Sequence, residues 1–170
     1  MGDMERMLDN LLKILREEAD LFGMMLNLAQ DEKDAVTRSD LDALRTATEG
    51  KTSLVPRIQD LDRKRKAVAE DLAGIMGRPT QGLNLREISG LAEEPYATQL
   101  EACRSHLSRL AASISDISFR NRELITHRLK FVRSSFFFLN NVTVSSTVYR
   151  NTGKMTMTSD RSGRVLSGDF

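Results

Sequence analysis

The stretch YATQLEACRSHLSRLAASISDISFRNRELITHRLKFVRSSFFFL, residues 96–139, decides the fold. It contains no Gly and no Pro, so nothing in it forbids one uninterrupted helix. Its apolar side chains recur at alternating three- and four-residue steps: Leu100, Cys103, Leu107, Leu110, Ile114, Ile117, then Leu124 and Phe131. This is a heptad seam, and a seam requires at least one other helix to cover it. Asn121 is a polar residue on that seam, and at Arg128 the pattern breaks. Beyond Arg128 the helix is apolar nearly all round, through Leu129, Phe131, Val132, Phe136, Phe137, Phe138 and Leu139. Five of the seven phenylalanines fall between Phe119 and Phe138, which leaves aromatic surface over for binding.

Two further helices precede this one. The first is expected from Asp3 to Ala29, with Met4, Leu8, Leu11, Leu15, Phe22, Met25 and Ala29 in heptad steps. Leu12, Ala19 and Leu26 widen its stripe. The polar residues Gln30 to Arg38 read either as a loop or as a continuation. Ser39 is the expected cap of the second helix, which runs to about Met76. Its apolar face is Leu44, Ala47, Leu54, Ile58, Leu61, Val68, Leu72 and Ile75. Lys51 and Arg65 interrupt this face as Glu18 interrupts the first, and pairing between these charges would fix the register. Pro56 is expected to bend the helix locally. Gly77-Arg78-Pro79 is a stop signal. Asn84 to Glu87 reads as a reciprocal cap opening a short helix through Leu91, and Pro95 suits the first turn of the long helix.

These elements define an all-α fold: a long antiparallel hairpin plus a long third helix, in a coiled-coil-like three-helix bundle with a short connecting helix. The bundle domain is read as residues 1–140. After Asn140-Asn141 the composition turns to Ser, Thr, Gly and Asn without helical period, so 141–170 is expected to be a flexible tail. A hairpin on Val142, Val144 and Val148 with a turn at Asn151-Thr152-Gly153 is too small to stand alone.

Composition narrows the function classes. The chain has 170 residues, 29% charged, no Trp and one Cys. Cys103 lies on the seam and is read as a buried thiol in a reducing compartment. Met1 to Glu18 carries acids throughout and is not read as a secretory signal, and no run approaches the ~20 apolar residues of a membrane span. The expected location is the cytoplasm, with no membrane insertion. Residues 1–95 hold nineteen acids and fourteen bases, and residues 96–170 hold five acids and eleven bases. The two halves can attract each other, or the basic half can meet an acidic partner.

No catalytic constellation is found, and neither a cofactor nor a metal is expected. His106 and His127 stand three heptads apart, and Cys103 with His106 supplies only two ligands where zinc needs three or four. The tetrad Arg63-Lys64-Arg65-Lys66 is flanked by Asp60, Asp62, Glu70 and Asp71, so it reads as a solvated helix face and no nucleic acid is expected.

Three stretches together are similar to one family. Ser39-Asp40-Leu41-Asp42-Ala43-Leu44 followed by Glu49-Gly50-Lys51 resembles the start of the second helix in FlgN-type flagellar export chaperones. Asn121-Arg122-Glu123-Leu124-Ile125 resembles the Asn-x-x-Leu-Ile element of their long last helix, and Tyr149-Arg150-Asn151-Thr152-Gly153-Lys154 resembles an element of their tail. The heavy Phe136-Phe137-Phe138 run and the extension past Lys154, with Arg161-Ser162-Gly163-Arg164, depart from that pattern. The resemblance implies a cytoplasmic chaperone. It would bind the C-terminal amphipathic helices of hook-filament junction proteins, prevent premature assembly and deliver them to the flagellar export gate. On that reading Leu124, Ile125, Leu129, Val132, Phe136, Phe137, Phe138 and Leu139 are the client-binding face. Leu124, at helical spacing, is more readily assigned to the bundle core. Asn121 is the register residue, and Tyr149 is the export-gate contact, carried over by its match to the tail element. The competing class is a homodimeric coiled-coil adaptor of a secretion apparatus, in which the Phe cluster is buried against its twin.

Overall fold

The computed structural model of the chain describes residues 2–77 and 84–143. The described residues are all-α, with four helices and no strand: α1 (Asp3–Arg38), α2 (Leu41–Ile75), α3 (Leu85–Leu91) and α4 (Tyr96–Thr143). The Arg78-Pro79 part of the stop signal and the expectations for residues 144–170 lie outside the described residues; of the expected valine hairpin, Val142 lies instead in α4, which carries the helix through Thr143.

α1 is longer than its first apolar run. Gln30 to Arg38 continues the helix, because Ala29, Glu32 and Val36 keep the heptad steps and all three are buried. The helix ends in a Schellman motif. Ser39 takes a left-handed conformation (φ 58°), its N–H donates to the Val36 carbonyl at 3.2 Å, and the Asp40 N–H donates to Ala35 at 2.9 Å. Ser39 therefore closes α1, and the residue that caps α2 is Asp40, whose Oδ1 accepts from the Ala43 N–H at 3.0 Å. The expected cap is displaced by one position because the left-handed residue must stand between the two helices.

α2 runs unbroken through Pro56, whose ring nitrogen cannot donate to the Thr52 carbonyl. Gly50 is a close-approach position. A Cβ there would meet Leu28 Cδ2 at 3.0 Å, so the bare Cα lets the α1 leucine lie against α2. Gly77 has φ 65°, the left-handed conformation expected of the stop signal. α3 opens on the expected reciprocal cap: Asn84 Oδ1 accepts from the Glu87 N–H at 3.0 Å, and Glu87 Oε2 accepts from the Asn84 N–H at 3.1 Å.

By its contacts the chain divides into two compact units, Met1–Leu124 and Ile125–Phe170, so the boundary falls within the span of α4. In the first unit α1 and α2 are antiparallel. Glu18 meets Arg65 and Glu32 meets Lys51, and in both pairs the residue numbers add to 83, which only an antiparallel pair of rods allows. At the same sum stand the buried levels Leu11 with Leu72, Leu15 with Val68, Ala29 with Leu54, and Val36 with Ala47. One core holds Leu8, Leu11, Leu12 and Leu15 of α1, Leu54, Leu61 and Leu72 of α2, Ile88 of α3 and Leu100 of α4. Each such leucine contributes about 1.5–3 kcal/mol through removal from water. α4 joins this core through Leu100, with Cys103 and Leu107 packed beside it. Cys103 is half-buried and not the fully buried thiol expected, since its seam position lies toward the rim of the core.

Candidate functional site

Polar residues at seam positions form the most ordered chemistry of the first unit. Lys51 Nζ lies 2.6 Å from Glu32 Oε1, and both side chains are largely buried. Asn121 of α4 is 1% exposed. Its Nδ2 donates to Glu32 Oε2 at 2.7 Å and to the Ala29 carbonyl at 2.8 Å, while its Oδ1 accepts nothing. Glu32 therefore links three helices, taking a charge partner from α2 and an amide from α4. Glu32 is not among the residues expected from the sequence, although its spacing from Ala29 and Val36 carries the signal. With Gln99 Oε1 accepting from Arg16 at 3.1 Å at one end and Asn121 donating to Glu32 at the other, α4 runs parallel to α1 within this unit.

Two heptads nearer the chain start, Glu18 faces Arg65 at 3.3 Å. This is a charge contact only, because Glu18 Oε2 accepts no hydrogen bond. Burial pushes the Glu18 carboxyl above its ordinary value of 4.5. Arg65 opposes the shift, and the Asp62 charge adds to it. Since the folded state favours the protonated acid, the stability Glu18 contributes is full below 4.5 and is lost as pH rises through its raised pKa. The unfolding free energy of the wild-type chain, measured against Glu18→Gln by urea titration, should therefore decline from pH 4.5 to pH 7. A constant difference would show that Glu18 does not titrate in that window. Asp62 does not interfere. Lys66, with help from Arg65, holds its carboxyl below the ordinary 3.8, so its contribution is lost only under more acid conditions.

Every member of the basic tetrad is paired within the fold. Arg63 and Lys64 pair with Asp60 at 3.2 and 2.7 Å, Lys66 pairs with Asp62 at 2.7 Å, and Arg65 is shared by Asp62 and Glu18.

The apolar residues late in α4 have the opposite character. Leu129, Val132, Phe136, Phe137, Phe138 and Leu139 are all exposed, the three phenylalanines by 66–71%, and Ile125 is half-buried. Leu124, in the first unit, is exposed rather than packed into its core. Phe131 is 73% exposed, the most of any phenylalanine among the described residues. Ser135, within this segment, satisfies its hydroxyl inside the helix by donating to the Phe131 carbonyl at 3.0 Å. A run of exposed apolar residues like this one differs from the single surface hydrophobes that need no explanation. Tyr149 lies outside the described residues.

Long heptad helices locked by buried polar pairs, with aromatic surface left open on the last of them, define a helical protein-binding module. Its family is identified directly: the family model described as FlgN protein matches residues 4–157, and the chain belongs to that family. No curated protein and no solved structure matches. The family is one of flagellar export chaperones, and membership gives this chain that role. None of the described helices is long and apolar enough to cross a membrane.

Proposed function

We propose that the chain is a cytoplasmic type III export chaperone that binds the C-terminal amphipathic helices of hook-filament junction proteins. It prevents their premature assembly and delivers them to the flagellar export gate. The observation that carries this reading is the open apolar surface of α4 in a member of an export-chaperone family. An amphipathic client helix laid on such a surface buries its apolar face, and the ordering this costs keeps the contact moderate and releasable. On this reading Leu124, Ile125, Leu129, Val132, Phe136, Phe137, Phe138 and Leu139 form the client face within a helical domain of residues 1–140. Asn121 fixes the register of α4, and Tyr149, in the polar tail of residues 141–170, contacts the export gate.

The test is a pulldown of junction proteins, with and without their C-terminal helices, using the full chain and a Phe137→Ala/Phe138→Ala variant of wild-type helicity. Loss of these two aromatic anchors should lower capture at least about tenfold, and clients lacking the helix should not be captured. If folded wild-type protein captures neither client form and scatters light as a tight dimer, the adaptor reading replaces this one and the Phe cluster is its seam.

A further inference from the structure

Within the second unit, Ile125, Leu129, Val132, Phe136 and Leu139 follow one another at steps of four, three, four and three. That is a heptad stripe in its own right, offset by one residue from the Leu124–Phe131 pattern, and every one of its seam positions is apolar. A heptad stripe fits one near-parallel helix, because only a helix presents matching side chains every 3.5 residues. The positions flanking the stripe are Thr126, Arg128, Arg133, Ser135 and Asn140. These are the places from which coiled-coil partners are selected by charge. They hold two arginines and no acid. Lys130 adds a third positive charge, and residues 125–143 contain no Asp or Glu at all.

This charge pattern bears on what can cover the stripe. In a parallel pair of two copies, Arg128 of one chain would stand opposite Arg133 of the other, twice by symmetry. In any other register the segment still offers no carboxylate to its twin. The chain's own residues 144–170 are no better matched, with Arg150, Lys154, Arg161 and Arg164 against Asp160 and Asp169. We infer that the stripe Ile125–Leu139 is built for a single amphipathic helix of another protein that carries acidic residues beside its apolar face. The inference rests on the reading of this surface as a client face and adds the chemistry of the client.

The test uses the full chain and two labelled synthetic helices of about three heptads, with identical apolar seams and either Glu or Lys at the flanking positions. Fluorescence anisotropy should give about tenfold tighter binding of the Glu-flanked helix, a preference that shrinks as salt rises. An Arg128→Glu/Arg133→Glu variant, checked for wild-type helicity, should reverse the preference. Equal binding of the two helices, or a preference unchanged by that reversal, would overturn the inference. So would a wild-type chain that scatters light as a dimer and binds neither helix. Junction proteins captured equally by wild-type and charge-reversed chains would remove the acidic-flank inference and leave the client reading intact. Peptide selectivity that reverses as expected, without any capture of junction proteins, would do the converse.

Discussion

Leu100→Ala should lower the unfolding free energy by about 3 kcal/mol, within the range measured for fully buried leucines. Leu100 has no exposed surface and belongs to the same core as Leu8, Leu11, Leu12 and Ile88. Among the described residues of α4, only Leu100, Ile117 and Asn121 are buried. The alanine therefore removes the one fully buried apolar anchor that holds α4 to the hairpin, and leaves a cavity where α1, α3 and α4 meet. Leu100→Met, which conserves volume, should cost less than about 1.5 kcal/mol. Urea titration followed by circular dichroism checks both variants. A loss near zero for the alanine would mean that α4 is not integrated into the core.

Lys51→Met should be nearly as damaging, at about 2–3 kcal/mol, for a different reason. It fills space well but strands the Glu32 carboxylate, leaving it the Asn121 amide as its remaining partner in this arrangement. Breaking a buried pair from one side leaves an uncompensated charge, whereas replacing both members by apolar groups is often close to neutral. The Glu32→Leu/Lys51→Met double variant should therefore be more stable than Lys51→Met alone. Asn121 would keep its bond to the Ala29 carbonyl in that variant. If the double variant is the less stable of the two, the pair contributes net stability as well as register, and the desolvation argument fails here.

The heptad seams made the helices legible in the sequence, and the interruptions at Glu18, Lys51 and Arg65 located one ion pair and half of another. Glu32 escaped because its polar neighbours in the run Gln30 to Arg38 obscure the three- and four-residue steps that tie it to Ala29 and Val36. The exchange of roles between Ser39 and Asp40 escaped for a local reason. Both residues can cap, and the choice depends on which must adopt the left-handed conformation that ends α1. The late α4 phenylalanines were legible as apolar surface left over by the bundle, but the exposure of Leu124 was not. Periodicity states which side chains share a face and says nothing of whether another element reaches it. Leu124 shows the difference, since it keeps helical spacing and still faces solvent.

The Ser39–Asp40 link also orders events in time. Loop-closure entropy grows with the logarithm of the enclosed length, so contacts close in sequence are reached first. Glu32 and Lys51 are 19 residues apart across this turn, while Asn121 and Glu32 are separated by 89. Closure is therefore expected to begin at the turn and spread outward through Glu32–Lys51 to Glu18–Arg65. In that order Asn121 would meet an acceptor already held in place. On the ribosome, the same order lets the hairpin close while α4 is still being synthesised.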